Sequence, residues 1–298
     1  MFFCVPTVIP PEVLKKIRRI QIRTSHVVDD LLAGGWHSAF KGRGIEFEEV
    51  RPYAIGDDVR TIDWNVTARA GEPFVKLFRE ERELSVQLLV DISPSQFFGT
   101  QSQTKRELVA ELGATLAFSA IKNNDKVGLT LFSDTVEKSI PPRKGTRHCL
   151  RLIRELLYCE PVGRGTNITA AIEHLNRTSH RRMVVFLISD FEDDHSENTL
   201  KVARRRHEII PVVVRDQREL TMPDVGLVRF RDAETGQTQM IDTSSRRVRR
   251  EYEALTRARN DNLDASLRRM RMSAIYLGTG QDFVRPLQQY FHQRELGR

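Results

Sequence analysis

Apolar residues are distributed along the chain in two alternating patterns. Leu84-Ser85-Val86-Gln87-Leu88-Leu89-Val90 is mostly apolar and Val184-Val185-Phe186-Leu187-Ile188 wholly so. Runs of this kind suit strands covered on both faces of a parallel sheet. Lys126–Phe132, Glu208–Val214 and Ser273–Leu277 read as further strands, and Thr135–Ile140 as a short edge strand stopped by Pro141-Pro142. Between them the period is helical. Thr104-Lys105-Arg106-Glu107 is a capping box opening a helix whose inner stripe is Leu108, Leu112, Thr115, Leu116 and Ile121. Gly145–Tyr158, with Leu150, Ile153 and Leu157 inward, Asn167–Thr178 and Ser196–Arg206 follow as helices. A long Arg-rich helix starts at Ser244, and Asp282 caps a closing one with Phe283, Leu287, Tyr290 and Phe291 on one face.

Strands alternating with helices predict an α/β fold over 83–298, a doubly wound, mostly parallel sheet with right-handed crossovers. Gly226–Ile241 alternates around Glu234-Thr235-Gly236 and reads as a β-hairpin insertion. Residues 1–82 read as a smaller N-terminal module. Helices are expected within Pro11–Leu32, with Leu14, Ile17, Val28, Leu31 and Leu32 buried, followed by extended pieces around the Gly56-Asp57-Asp58 turn. Asp57, Asp58 and Asp63 read as turn caps and ion-pair partners of Arg51, Arg60 and Arg69.

Composition narrows the function classes. A chain of 298 residues can bury a full α/β core and carry an appended module. No stretch approaches the roughly 18 apolar residues of a membrane span. The opening Met1–Pro10 is short, lacks a basic start and contains prolines, so a soluble cytoplasmic protein is expected. Three cysteines without a Cys-x-x-Cys argue against a disulfide framework or a zinc site. There is no Gly-x-x-x-x-Gly-Lys-[Ser/Thr] loop and no Gly-x-Ser-x-Gly elbow, so no nucleotide is expected. The formal charge of +7 is concentrated at Arg204-Arg205-Arg206 and between Arg246 and Arg271. A basic surface of this kind suits nucleic acid, an anionic membrane surface held peripherally, or an acidic protein. Glu251, Glu253, Asp261 and Asp264 are interleaved with the second run, which favours a solvated, ion-paired helix face.

The chemistry gathers where the first central strand ends. Asp91, Ser93 and Ser95 fall at every second position, so in an extended segment their oxygens project to one side. At the carboxyl end of a central strand that side is where open α/β sheets bind ligands. One carboxylate and two hydroxyls form a hard-oxygen set for Mg²⁺, Mn²⁺ or Ca²⁺, although the same residues also make an ordinary turn. Gly163-Arg164-Gly165-Thr166-Asn167 is a Gly-rich loop able to bring the Thr166 hydroxyl towards its neighbours, and the strand from Val184 closes in Ser189-Asp190. Asp193 and Asp194 read mainly as caps of the next helix, with a place in a metal shell as the alternative.

Asp-x-Ser-x-Ser, a later Gly-Thr-Asn loop and an Asp closing a later strand together resemble the von Willebrand factor A domain. The resemblance assigns Asp91, Ser93, Ser95, Thr166 and Asp190 to a metal-ion-dependent adhesion site holding Mg²⁺ or Mn²⁺. Arg51-x-Tyr53-x-x-Gly56-Asp57-Asp58-x-Arg60-x-Ile62-Asp63-Trp64, then Ala68-Arg69 and Val75-Lys76, resembles the signature of its bacterial MoxR-associated branch. This second resemblance runs from about Leu14 to Phe291. It implies an adaptor or chaperone-like binding module that works with a MoxR-type AAA+ ATPase, or grips a client protein, through an Asp or Glu offered to the metal. A metal-dependent phosphoesterase is the alternative, and nucleic-acid binding a further one. Members of the branch often carry Met after the second Ser, where this chain has Gln96, a departure that bears on the packing or partner surface of the loop.

Overall fold

The structure is a computed structural model that describes residues 46–79, 83–100, 103–193, 196–232 and 236–296. The helices expected within Pro11–Leu32 lie outside them. The described residues divide into two units between Glu83 and Leu84.

In the smaller unit, β1 (Glu46–Pro52) pairs antiparallel with β2 (Phe74–Arg79), and α1 (Trp64–Ala70) lies between them in sequence. The three aspartates hold this turn-rich segment. Asp57 takes both guanidinium nitrogens of Arg51 at 2.7 Å and accepts the Ala54 N–H. Asp58 caps the 3-10 turn Val59–Thr61 by accepting the Arg60 N–H. Asp63 caps α1 through the Asn65 and Val66 N–H groups and pairs with Lys76 at 3.2 Å, rather than with Arg60 or Arg69.

The larger unit is built on a six-stranded sheet. Its strands are β3 (Ser85–Asp91), β4 (Lys126–Phe132), β5 (Val136–Arg143), β6 (Val184–Ser189), β7 (Glu208–Arg215) and β10 (Ile275–Gly278), in the spatial order β10-β7-β6-β3-β4-β5. All neighbours are parallel except β4 and β5. β3 is therefore central, and the strand order reverses on either side of it, which places a ligand crevice at its carboxyl end. Val86, Leu88, Leu89 and Val90 are fully buried, as the unbroken apolar run requires.

The edge strand departs from expectation. β5 runs through Pro141 and Pro142 instead of stopping at Ile140. An edge strand has one side without a ladder partner, so missing N–H groups are tolerated there. The register shifts between Val127 and Leu129, and a Cβ on Gly128 would lie 2.8 Å from both the Ile140 carbonyl oxygen and the Pro142 nitrogen. Glycine is what lets the two backbones approach so closely.

Helices α2 (Lys105–Lys122), α3 (Thr146–Tyr158), α4 (Ile168–Thr178), α5 (Glu197–Arg206), α6 (Gln217–Leu220) and α7 (Arg246–Arg269) lie between these strands in sequence, and α8 (Val284–Leu296) follows the last of them. The Thr104–Glu107 capping box starts α2. Ile121 is only half-buried, whereas Lys105, one turn before Leu108, is buried on the inner stripe. On α3 the buried face is Cys149, Leu152, Ile153 and Leu156, and the expected Leu150 and Leu157 flank it half-buried. The helix packs against α2 through the i, i+3, i+4, i+7 stripe starting at Cys149, not the one starting at Leu150. β8 (Leu227–Arg231) and β9 (Thr238–Asp242) form the inserted antiparallel hairpin. The arginine-rich helix α7 is laced by ion pairs: Arg247 with Glu251, Arg259 with Glu192 and Arg269 with Glu197. Among the described residues no helix is long and apolar enough to cross a membrane.

Candidate metal centre

The loops after β3 and β6, and the loop leading into α4, carry the residues singled out by sequence. β3 ends at Asp91, which is buried. Its Oδ1 accepts the Ser93 N–H at 2.8 Å and its Oδ2 accepts the Ser189 hydroxyl at 2.7 Å. The segment is not extended throughout: Pro94–Phe97 forms a 3-10 turn. Proline at its first position supplies the fixed φ that such a turn needs. The turn swings Ser95 back, so its hydroxyl lies 3.0 Å from that of Ser93 and donates to Asp190 Oδ2 at 2.9 Å. Asp91, Ser93, Ser95 and Asp190 are thus joined in one cluster, with Asp91 linked to the Asp190 strand through Ser189.

Thr166 stands on the adjoining loop, half-buried. That loop is fastened at both ends. Glu137 Oε1 accepts the Val162 and Gly163 N–H groups at 2.9 Å each, and the Asn167 N–H donates to the Ser133 carbonyl at 2.8 Å. Asp193 accepts the Ile168 N–H at 2.8 Å, tying the Asp190 loop to the start of α4 two residues beyond Thr166. Asp193 therefore serves the start of α4 and not the helix that follows it, α5, which is capped by Ser196; Asp194 lies outside the described residues.

The donor set fits a hard divalent cation. Two buried carboxylates and the Ser93 and Ser95 hydroxyls crowd together, and Asp91 shows the cost. Burial, and next the Asp190 charge, push its carboxyl up to about 7 against the lowering effect of the Ser93 and Ser189 hydrogen bonds. A bound cation relieves that repulsion. The Oε1 of buried Gln96 has no hydrogen-bond partner, and its Nε2 lies 3.3 Å from Asp190 Oδ2. The residue that breaks the branch pattern therefore faces the cluster.

Sequence reasoning missed a cation already present. Lys105 is 1% exposed, and its ammonium donates to Asp190 Oδ2 at 2.9 Å and to Glu219 Oε1 at 2.6 Å. Burial lowers its pKa, but the Asp190 and Glu219 charges outweigh this and leave it raised, so it stays protonated. On Glu219 burial wins and the carboxyl is raised despite the ammonium. Two carboxylates enclose one ammonium, which keeps the lysine charged. The signal was its spacing, since Lys105 shares the stripe of Leu108 and Leu112, but a lysine at the first position of a helix reads as solvent-exposed.

The network continues. Glu219 Oε2 accepts the Asp216 N–H at 2.8 Å, and Asp216 accepts the Thr100 hydroxyl at 2.6 Å, the Thr100 N–H at 3.0 Å and the Thr279 hydroxyl at 2.6 Å. One chain of polar groups thus links the loops after β3, β6, β7 and β10. Burial pushes the Asp216 carboxyl up, yet these hydrogen bonds outweigh it and hold it at about 2. Its contribution to stability is therefore complete above the ordinary carboxylate range and is lost as pH falls from about 4 towards about 2. Asp216→Ala strands both threonine hydroxyls and the Thr100 and Arg218 N–H groups, and is expected to cost about 2–3 kcal/mol in urea unfolding at pH 7. The difference from the parent protein is expected to shrink at the acid end of that window.

A central parallel strand with the order reversing beside it, an antiparallel edge strand and polar loops at the carboxyl ends define a von Willebrand factor A-like domain. The model of the family described as a protein of unknown function, DUF58, matches residues 49–262, and the chain belongs to that family. An uncharacterized protein of Mycobacterium bovis is 28% identical over 290 residues, covering 96% of this chain and 91% of the relative. An uncharacterized Mycobacterium avium protein is 27% identical over 161 residues, 53% of this chain and 95% of the relative. Among solved structures, the conserved hypothetical protein BatB from Bacteroides thetaiotaomicron superposes with a TM-score of 0.48 at 16% identity, covering 72% of this chain and 100% of that chain. An aerotolerance-related membrane protein from Bacteroides fragilis gives 0.46 at 19% identity, with 72% and 100% covered.

Proposed function

We propose that this chain is a metal-dependent protein-interaction module, in which Asp91, Ser93, Ser95, Thr166 and Asp190 hold one Mg²⁺ or Mn²⁺. The supporting observation is the convergence of buried Asp91 and Asp190 with two serine hydroxyls beside an exposed apolar rim. Phe97, the last residue of the ligand turn, and Phe98, which follows it, are 51% and 43% exposed, and the Arg106 guanidinium lies 4.7 Å from the Phe97 ring centroid. When bound, the ion supplies an electrophilic position that takes one carboxylate oxygen from a partner. Neutral hydroxyls leave the ion with much of its positive charge, which suits recognition of an Asp or Glu more than activation of water. The phenylalanines then exclude solvent around the contact.

The resemblance to the MoxR-associated branch supports a MoxR-type AAA+ ATPase, or a client that it remodels, as the partner. A desolvated contact of this kind is worth about 2–5 kcal/mol. EDTA is therefore expected to weaken binding to the purified ATPase by well over tenfold, with recovery on adding Mn²⁺. Equal binding with and without chelator contradicts metal-mediated recognition, and metal-dependent turnover of a phosphoester by the pure protein favours the enzymatic alternative.

A further inference from the structure

The opposite edge of the sheet carries a second polar hollow, remote in the fold from the metal loops. It is a cavity of about 210 Å³ at the amino ends of β6, β7 and β10, lined among others by Arg182, Arg204, His207, Glu208, Arg271 and Arg294. The two basic runs noted in the sequence meet here, because Arg204 lies in the last turn of α5 and Arg271 follows the cap of α7. Four guanidiniums face one carboxylate, leaving an excess of three positive charges. Arg294 pairs with Glu208, and Arg182 lies 3.8 Å from it, whereas no carboxylate partner is found for Arg204 or Arg271 among the described residues.

Two features go beyond an ordinary basic surface. His207 is 2% exposed and both its ring nitrogens lack a hydrogen-bond partner. An imidazole left in that condition forfeits hydrogen bonds that water would have supplied. Arg271 adopts a left-handed backbone (φ 53°) at the position after the α7 cap, where glycine is the usual residue. Cations near helix C-termini complement the helix dipole and account for some of the arginines. They do not account for a hollow, nor for a buried histidine without partners.

We infer that this pocket binds the phosphate or diphosphate group of a small phosphorylated ligand. A single carboxylate would leave most of the excess charge unmatched, whereas a phosphomonoester carries about −1.5 to −2 and takes several guanidinium forks at once. His207 would add a ring N–H at the floor. A concave pocket of this size favours a terminal phosphate over the flat track of a duplex backbone.

Isothermal titration of the full-length, EDTA-treated protein with inorganic phosphate and with pyrophosphate, at matched ionic strength, tests the inference; EDTA removes any effect of pyrophosphate on a bound metal. Saturable binding tighter than about 1 mM is expected for pyrophosphate. Arg204→Glu and Arg271→Ser, both at exposed positions, are each expected to weaken it about tenfold or more, as loss of one charge-assisted contact requires. Asp91→Asn is expected to leave it unchanged, so that failure of the metal-site reading and failure of this one are distinguishable. His207→Gln, which keeps a donor but not the ring, is expected to weaken binding in a protein whose circular dichroism is unaltered. No heat of binding to either anion overturns the inference, as does an affinity in both arginine variants equal to that of the parent protein. Retention of a short DNA duplex that pyrophosphate does not displace overturns it in favour of a nucleic-acid surface.

Discussion

Lys105→Met is expected to lower the unfolding free energy of the metal-free protein by about 3–5 kcal/mol, the usual cost of removing one member of a buried charge pair. Methionine fills nearly the same volume, so the loss is electrostatic and not a cavity. The ammonium is the counter-charge within 3 Å of both Asp190 and Glu219, at 2.9 and 2.6 Å. Without it the Asp190 carboxylate keeps the Ser95 hydroxyl and the Gln96 amide as hydrogen-bond donors, neither of which balances the charges of Asp190 and Asp91. On the proposed reading, a divalent ion at the cluster would replace the missing charge on the Asp190 side. Urea unfolding with and without Mn²⁺ is therefore expected to show a larger metal-induced rise in midpoint for the variant than for the parent protein. A variant as stable as the parent in EDTA would show that Lys105 contributes little to holding these loops.

Asp91→Asn is expected to preserve the fold and lose the metal. The amide oxygen still accepts the Ser93 N–H, its nitrogen can donate to the Ser189 hydroxyl, and the repulsion that pushes the Asp91 carboxyl up to about 7 disappears. Thermal unfolding in EDTA is thus expected within a few degrees of the parent. Metal affinity loses one anionic ligand, and the drop is expected to exceed the roughly 10–100-fold seen when only supporting residues are altered. Partner binding by the variant in Mn²⁺ is expected to match that of the parent in EDTA, and EDTA is expected to have no further effect on the variant. Additive losses would mean that Asp91 and the metal act separately.

The sheet was legible because fully buried parallel strands leave unmistakable apolar runs. Leu88–Val90 and Val184–Ile188 could hardly be anything else. Asp91 and Asp190 stood out only through the combined pattern that resembles a von Willebrand factor A domain, because a carboxylate ending such a run reads equally well as an ordinary turn. What the sequence hid depends on long-range contacts. Ser95 reaches Asp190 by way of a 3-10 turn that alternation does not predict, and β5 keeps its two prolines because of its edge position. Lys105 and Glu219 are 114 residues apart, and Asp216 and Thr100 are 116 apart, so neither pairing has a local signature. The acidic signature from Arg51 to Trp64 was legible in kind, as caps and ion pairs, and in partner for Arg51, which meets Asp57, but not for Asp63: only the folded strand β2 shows that Lys76 meets it.

Electron paramagnetic resonance of Mn²⁺ titrated into the purified full-length protein tests the central claim most directly, because free and bound ion are counted separately. One bound Mn²⁺ per chain is expected, displaced by Mg²⁺ and absent in Asp91→Asn. A free-ion signal that rises with added metal as it does in buffer alone, or identical binding by the parent and Asp91→Asn, would contradict a metal centre at Asp91, Ser93, Ser95, Thr166 and Asp190.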